Sequence, residues 1–214
     1  MSYWHSVADQ SLLWNADAGM GILAQLEGPI PYDADYLAKY EGYAQTDMGE
    51  KITRFRVDLV EEFHKGLMID VGCCAGSFMR ERGAERTYGY DVIPAVIERL
   101  KADGLYMDPY DSFDAGVPAL SMWDVMEHLA DPQHILRRVA RGGWVFLSIP
   151  IFDDLRHVLE SRHYRRTEHH LYFTEEGLTR FMAAHGFSVR AKDNTETVLG
   201  REDIMSYAFQ REDE

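Results

Sequence analysis

Residues 67–150 alternate between short apolar runs and amphipathic stretches, and this alternation constrains the fold more than any other feature of the sequence. The apolar runs lie at residues 67–71, 87–92, 105–108, 119–125 and 143–150. Strands that alternate with helices favour right-handed crossovers between parallel neighbours. The sequence therefore predicts an α/β fold with a doubly wound, mostly parallel sheet.

The helices predicted around these strands have clear boundary signals. An amphipathic helix covers residues 46–66, and a short one follows the first strand at residues 77–82. A third begins at Pro94, and an Asp-Pro pair caps a fourth over residues 131–140. These helices lie where crossovers between parallel strands require them.

The C-terminal part departs from this alternation. Thr174 caps a helix that closes at Gly186, and residues 187–192 and 204–210 read as strands. The polar loop between these two strands shows no helical pattern. We therefore predict a seven-stranded sheet that ends in an antiparallel C-terminal edge.

The first 45 residues lack the strand–helix alternation and carry tyrosines at helical spacing. We predict an N-terminal helical lid or extension over residues 1–45 and an α/β domain over residues 46–214. Helically spaced tyrosines are more often packing residues than ligand contacts, so their role is left open here. The spaced residues are Tyr32, Tyr36, Tyr40 and Tyr43.

Hydropathy and cysteine content predict a cytoplasmic protein. No apolar run is long enough to span a membrane, and the polar start lacks the pattern of a signal peptide. The two cysteines, Cys73 and Cys74, are adjacent and poorly placed for a disulfide. They also lack the C-x-x-C spacing of metal and redox pairs, which favours a packed turn.

The net charge of −14 disfavours tight binding to duplex nucleic acid, which depends on neutralising phosphates. Arginines and histidines nevertheless concentrate between His134 and His170. This basic segment is either a solvated face with mixed ion pairs or a local surface that attracts anions.

Acidic residues end four successive predicted strands: Asp70, Asp91, Asp108 and Asp124. Ligands of open α/β sheets bind beyond the carboxyl ends of the strands, so these side chains are binding candidates. Asp91 follows Asp70 by 21 residues, the separation expected of an acid that binds ribose hydroxyls. Each acid has the alternative role of capping the turn that follows it.

The turn after the first strand, "IDVGCCAGSF", excludes a dinucleotide fingerprint. The G-x-G-x-x-G pattern would place glycines where Cys74 and Ser77 stand. An acid two residues before Gly72 would also face a pyrophosphate unfavourably. Asp70 instead suits a ligand with an amino group or a sulfonium.

Four motifs in order resemble class I S-adenosylmethionine-dependent methyltransferases. They are "IDVGCCAGSF", "YGYDV", "MWDVMEHLADP" and "EHHLYFTEEGLTRFMAAHGF". The last two are similar to the branch that includes ubiquinone-biosynthesis O-methyltransferases, and the whole chain also resembles methyltransferase-like proteins of bacteriophages. The resemblance spans roughly residues 50–210. It implies a methyltransferase domain over residues 46–214, with S-adenosylmethionine as cofactor and S-adenosylhomocysteine as product.

The resemblance also implies a set of cofactor-binding residues. Glycines of the turn would approach the methionine moiety, Asp70 would hold its amino end, and Arg56 would reach its carboxylate. Asp91 would bind the ribose, and Asp108 the adenine edge. The family usually has a glycine where this chain has Cys74. The implied residues are Arg56, Asp70, Gly72, Cys73, Gly76, Asp91, Val92, Asp108, Trp123 and Asp124.

Glu127, His128 and His169 are the candidate catalytic residues. One of the histidines after the fifth strand (His163, His169 and His170) would serve as a general base, or each would simply pack against the sheet. Glu127 and His128 have the alternative role of anchoring the next helix. Asp124, Glu127 and His128 also share one face of a helical turn, as metal ligands do. A similar Glu-x-x-Glu-His holds a divalent ion in some ubiquinone-type and small-RNA 2′-O-methyltransferases.

The sequence thus predicts a methyltransferase that modifies an oxygen or nitrogen of a small molecule or of an accessible nucleotide or protein group. One alternative is a nucleic-acid-modifying enzyme that uses the basic segment. Another is a scaffold protein that binds the cofactor without catalysis. The fold alone cannot select the acceptor, because it serves many.

Overall fold

The computed structural model describes residues 4–7, 12–28, 32–111 and 116–213, so residues 1–3, 8–11 and 29–31 of the predicted lid lie outside the described residues. The strands are β1 (His5–Val7), β2 (Leu12–Asn15), β3 (Met20–Leu23), β4 (Met68–Val71), β5 (Thr87–Tyr90), β6 (Val117–Trp123), β7 (Val139–Pro150), β8 (Leu171–Phe173), β9 (Phe187–Asp193) and β10 (Ile204–Arg211). The helices are α1 (Ala34–Ala44), α2 (Asp47–Phe63), α3 (Ser77–Arg82), α4 (Pro94–Ala102), α5 (Pro132–Leu136), α6 (Leu155–Glu160), α7 (Glu175–Ala184) and α8 (Thr195–Val198), with a 3₁₀ turn at Met126–His128.

A six-stranded sheet in the order β5-β4-β6-β7-β10-β9 forms the centre of the molecule. The first four strands are parallel, whereas β10 pairs antiparallel with both β7 and β9. This arrangement confirms the predicted α/β class and its antiparallel C-terminal edge. The main apolar core lies against this sheet and includes Ile69, Leu120 and Leu147, all without solvent exposure.

The sheet has one strand fewer than predicted, because residues 105–108 form no ladder. Their pairing is limited to one parallel bridge between Gly89 and Tyr106. The chain then turns, as the Asp108 carboxylate accepts a hydrogen bond from the backbone N–H of Tyr110 at 2.8 Å. Pro109 has no N–H to continue a strand.

Two helix predictions in the C-terminal half need correction. The helix predicted to continue to residue 140 ends at Leu136, because Val139 pairs with Val117 and is recruited into β7. The loop between β9 and β10, predicted to lack helix, contains α8. The Asp193 carboxylate helps to start this helix by accepting a hydrogen bond from Thr195 N at 2.6 Å.

The N-terminal segment differs most from prediction, because α1 is the one helix among the described residues of the predicted lid. Strands β1, β2 and β3 form a second sheet with β8, in the order β1-β2-β3-β8. The turn between β2 and β3 uses Gly19 in the left-handed region, with φ +65°. Burial of Leu12, Trp14 and Leu23 against Phe152 stabilises this sheet.

Helix boundaries with polar caps match the sequence well. Thr46 accepts a hydrogen bond from Gly49 N at the start of α2, and Thr174 accepts one from Gly177 N at the start of α7. Within the described residues, no helix combines the length and the hydrophobicity needed to cross a bilayer.

Candidate functional site

A cavity of about 450 Å³ opens at the carboxyl edge of the six-stranded sheet. The turns after β4, β5 and β6 form its floor, and side chains of α1 and α2 form its walls. All the predicted cofactor-binding residues except Gly76 and Asp108 line it. The strand ends thus bring together side chains that are distant in sequence.

The turn after β4 brings backbone close to the cavity. Gly72 has φ +69°, and its N–H donates to the Tyr90 carbonyl at 2.8 Å. A Cβ at Gly72 would lie 2.5 Å from Cγ2 of Val125, so the packing requires glycine there. Gly76 has φ +71° and precedes α3, but it does not line the cavity.

Both cysteines of this turn are free thiols with raised pKa values. Cys73 packs against Met79 and Ile93, and burial raises the pKa of its thiol far above the ordinary value. Burial also raises the pKa of Cys74 to about 11. Cys74 holds a left-handed backbone conformation with φ +43°, which explains why a glycine suits this position.

Asp70 and Asp91 stand at neighbouring strand ends in different environments. Asp70 is 2% exposed and accepts a hydrogen bond from the Ser121 hydroxyl at 2.7 Å. Burial raises its pKa to about 7. Asp91 accepts backbone hydrogen bonds from Cys74, Val92 and Ile93 at 2.8–2.9 Å. Asp91 thus fixes the turn after β4 against the end of β5, while a carboxylate retains room for one further donor.

Asp108 does not reach the cavity, although it was predicted to contact the adenine. Its carboxylate faces the following turn, and Tyr110 lines the cavity instead. No motif in the sequence pointed to Tyr110. Its place is set by the turn that replaces the predicted third strand.

A cluster of four charged side chains, which we call the arginine–carboxylate cluster, lies at the cavity beside Trp123. It consists of Arg56, Asp124, Glu196 and Arg201. Burial alone would raise the pKa of Asp124, but Arg201 and Arg56 outweigh it and hold the pKa well below the ordinary value. The sequence motifs missed Glu196 and Arg201, which come from α8 and the loop after it.

The hydrogen bonds within this cluster are short and cross-linked. Arg56 donates to Glu196 through Nε at 2.7 Å and to Asp124 through Nη2 at 3.0 Å. Arg201 forms a fork on Asp124, with both distances 2.9 Å, and a further ion pair with Glu196. Arg56 also lies 5.0 Å from the Trp123 ring centre. The predicted carboxylate-binding arginine is thus already held by two acids of the protein.

Glu127, His128 and His169 form a second cluster, the Glu–His–His cluster, at the cavity wall. One ligand atom from each lies within 4.8 Å of the others. Glu127 Oε2, His128 Nδ1 and His169 Nδ1 are buried, and none has a hydrogen-bond partner among the described residues. Burial raises the pKa of Glu127 and lowers that of His128, and it lowers the pKa of His169 to about 2. Burial thus disfavours the charged form of each side chain and leaves these polar atoms unsatisfied, which is costly in a protein interior.

This geometry corrects the metal-ligand set predicted from sequence. Asp124 stays outside the Glu–His–His cluster because two arginines hold its carboxylate, and His169 completes the set in its place. The two neighbouring histidines have other contacts. The His163 ring lies 2.9 Å from the Glu202 carbonyl, and the His170 ring lies 3.1 Å from the Leu23 carbonyl.

The tyrosines of the α1 region face the cavity rather than the main core. Tyr32, Tyr36, Tyr40 and Tyr43 all line it, and no residue of α1 is fully buried. The Tyr36 and Tyr40 rings lie 4.7 Å apart, and burial raises the pKa of Tyr32 to about 12. Their helical spacing was the signal in the sequence, and it is more often typical of packing than of ligand contact.

The basic segment is mostly engaged in ion pairs. Arg156 pairs with Glu160, Arg165 with Glu168, and Arg166 with Glu27. Arg162 lies 3.7 Å from Glu202. This arrangement matches the solvated-face interpretation more closely than an open anion-binding surface.

Comparisons with known proteins agree with this architecture. One similar structure is a chain from the complex of the Haloferax volcanii Trm112 methyltransferase activator with a protein assigned as a methyltransferase. Its identity is 15%, its TM-score is 0.63, and the match covers 83% of this chain and 95% of that chain. Another is magnesium protoporphyrin IX methyltransferase from Synechocystis PCC 6803 with bound S-adenosylhomocysteine, at 13% identity and TM-score 0.60, covering 84% and 96%.

A third similar structure is an S-adenosylmethionine-dependent methyltransferase from Clostridium acetobutylicum, at 13% identity and TM-score 0.58, covering 83% and 99%. A comparison with curated protein sequences gave no match.

A family model described as a methyltransferase domain matches residues 40–192. The predicted family and its cofactor, S-adenosylmethionine, are thereby confirmed at the level of family and fold, whereas the ubiquinone branch and the bacteriophage likeness stay predictions. Most of the predicted cofactor residues lie in one cavity at the edge where this fold binds ligands. The chain belongs to the family of methyltransferase domains.

Proposed function

We propose that this chain binds S-adenosylmethionine in the cavity and transfers its methyl group to an oxygen or nitrogen acceptor. The acceptor is a small molecule or an accessible group of a nucleotide or protein. The convergence of Asp70, Gly72, Asp91 and Asp124 on one cavity carries this proposal. The four residues lie at or just after the carboxyl ends of three adjacent parallel strands, as expected of a nucleoside site on this fold.

The cofactor would lie across the ends of β5, β4 and β6. Asp91 would accept a hydrogen bond from the ribose, in addition to its three backbone donors. Gly72 lets the backbone approach the ligand, and Tyr110 and Val92 offer an apolar wall for the base. Asp70 would face the amino-acid end.

The cofactor supplies an electrophilic methyl group on a sulfonium, so the protein mainly has to align the acceptor and exclude water. The tyrosines of the α1 region suit the second task, because they cover the cavity with aromatic surface. We assign residues 32–44 the role of a lid over the bound cofactor. In this proposal strands β1 to β3 support the acceptor side, because β3 pairs with β8.

The Glu–His–His cluster would act on the acceptor. A histidine with a pKa of about 2 gains little from taking a proton, so His169 suits coordination better than general-base catalysis. One carboxylate oxygen and two imidazole nitrogens with unsatisfied atoms fit a divalent ion of the zinc or manganese class. Such an ion would supply Lewis acidity toward an acceptor hydroxyl. Metal analysis of the purified protein and of Glu127→Gln would test this assignment.

Two alternative functions predict different results from the function proposed above. A nucleic-acid-modifying enzyme would require salt-dependent retention on a nucleic-acid column, because phosphate contacts release counterions. A cofactor-binding scaffold would bind the ligand but methylate no acceptor pool. The left-handed conformation of Cys74 is the observation that favours the scaffold, since a Cβ there narrows the turn.

Calorimetric titration with S-adenosylmethionine and S-adenosylhomocysteine tests the binding step. We expect micromolar affinity in the natural chain and a loss of at least tenfold in Asp91→Ala. Asp58→Ala, which removes an exposed carboxylate from α2, is the matched control and should bind normally. Equal affinities in Asp91→Ala and Asp58→Ala would contradict the assigned orientation, and absent binding throughout would contradict the function.

A further inference from the structure

The arginine–carboxylate cluster concentrates four charges at one end of the cavity. Arg56 and Arg201 line the cavity with Asp124, whereas Glu196 lies behind them with no solvent exposure. Its members come from α2, the end of β6, α8 and the loop after α8. Removing charges from water is costly, so each side chain of the cluster depends on its partners to hold its geometry.

We infer that Arg201 and Arg56 together bind the carboxylate of the cofactor's amino-acid end, and that Glu196 is the positioning residue for both guanidinium groups. This inference rests on the proposed function and deepens it. It adds two residues, Arg201 and Glu196, to the predicted role of Arg56.

The position of the cluster along the sheet supports this assignment. Asp91 follows β5, Asp70 is the penultimate residue of β4, and Asp124 follows β6, in the order in which these strands lie side by side. A nucleoside whose ribose contacts Asp91 therefore extends its 5′ substituent across β4 toward the arginine–carboxylate cluster. Among the described cavity-lining residues, the remaining arginine is Arg165, which is paired with Glu168.

Arg56 and Arg201 each keep N–H donors that are free to bind a ligand. Within the described part of the chain, the hydrogen bonds of Arg56 leave from Nε and Nη2, and those of Arg201 leave from Nη1 and Nη2. Arginine has five N–H groups, so Nη1 of Arg56 and Nε of Arg201 retain donors. A carboxylate placed between the two side chains would receive charge-assisted bonds from both.

The charges of the cluster suit a zwitterion better than a simple anion. Two guanidinium groups face two carboxylates, so the cluster is neutral overall. An amino-acid end carries one charge of each sign, and its ammonium group would face Asp124 while its carboxylate faces the arginines. A simple anion would gain little net attraction, because Asp124 and Glu196 already offset the charges of the two arginines.

Glu196 holds the two arginines in place but does not itself reach the cavity. Its two oxygens accept from Arg56 at 2.7 and 2.9 Å, and it also pairs with Arg201. The Ser206 hydroxyl donates to the same carboxylate at 3.1 Å. This network restricts both guanidinium groups to one orientation before a ligand arrives, which reduces the entropic cost of binding.

Ligands with and without the amino-acid end test the inference. Calorimetry would compare S-adenosylhomocysteine with 5′-methylthioadenosine, which keeps the nucleoside and sulfur but lacks the amino acid. We expect Arg201→Gln to weaken S-adenosylhomocysteine about 10- to 100-fold and to leave 5′-methylthioadenosine within about twofold. Glu196→Gln should show the same selectivity between the two ligands, with a smaller loss of affinity for S-adenosylhomocysteine.

Two controls separate this result from general damage. Arg54→Gln removes an exposed arginine from the same helix as Arg56 and should change neither affinity. If Arg201→Gln does not fold, Arg201→Lys keeps the charge but loses the fork, and it should show the same selective weakening. Equal losses for both ligands, or no loss for either, would overturn the inference. Failure of the natural chain to bind either ligand would instead overturn the proposed function on which the inference rests.

Discussion

Replacing Gly72 by alanine should destabilise the protein and weaken cofactor binding. A comparison with Gly104→Ala separates the two causes, which are backbone strain and steric overlap. Gly72 and Gly104 have the same backbone angle, φ +69°, but different surroundings. A Cβ at Gly104 would meet nothing within 4 Å, whereas one at Gly72 would lie 2.5 Å from Val125 Cγ2. The pair therefore distinguishes backbone strain from steric overlap.

The expected magnitudes follow from these two terms. A left-handed alanine costs about 1–2 kcal/mol, and the stiffer unfolded chain returns about 0.4–1 kcal/mol. Gly104→Ala should therefore lower the free energy of unfolding by about 1 kcal/mol. Val125 is β-branched and cannot easily turn away, so overpacking adds about 1–3 kcal/mol at Gly72. Gly72→Ala should lose about 2–4 kcal/mol in total.

Urea denaturation of both variants measures these differences, and calorimetry with S-adenosylhomocysteine measures their effect on the site. Gly72→Ala should also bind more weakly, because Val125 lines the cavity and must shift, whereas Gly104 lies away from it. Adding Val125→Ala to Gly72→Ala should relieve the overlap. If the two single variants were equally stable, the close approach of the turn to Val125 would be refuted.

Three further predictions concern other parts of the molecule. Cys74→Gly should leave stability unchanged or raise it by up to about 1 kcal/mol and should tighten cofactor binding, because glycine adopts the left-handed backbone conformation of this residue without strain. A clear loss of cofactor affinity would contradict this prediction. The pKa of Asp70 is raised to about 7 in the folded state, so its stabilising contribution is complete below the unfolded pKa of about 4 and is lost as pH rises through 7. The free energy of unfolding of Asp70→Asn, measured by chemical denaturation, should therefore rise relative to that of the natural chain by up to about 4 kcal/mol between pH 4 and 8. A difference that stays constant with pH would contradict this prediction. Gly177→Ala should destabilise the N-terminal sheet, because its Cβ would overlap the Gly19 carbonyl. Gly42→Ala, in open space on α1, should instead stabilise the protein by about 0.5–1 kcal/mol. Thermal unfolding that ranks the two variants in the opposite order would refute the contact between Gly177 and Gly19.

Local signals predicted much of this fold. Thr46 and Thr174 are N-caps as expected, and α3 spans the predicted residues, because capping and periodicity depend on neighbours in the chain. Strands β2 and β3 were missed because their sheet is completed by β8, which is far away in sequence and pairs with β3. Short apolar runs do not reveal such partners.

The candidate site was predictable where motifs follow strands. Asp70 and Asp91 reach the cavity because the carboxyl ends of parallel strands share one edge. Glu196 and Arg201 were missed because they lie in a polar segment whose role appears only when β10 inserts beside β7. Asp108 was misassigned because the third strand was predicted where the chain turns.

A crystal structure of the protein with S-adenosylhomocysteine would test the cofactor site directly. We expect the ribose at Asp91, the adenine beside Tyr110 and the amino-acid carboxylate between Arg56 and Arg201. Ligand density elsewhere on the molecule, or a ligand reversed so that the adenine meets the arginine–carboxylate cluster, would contradict it.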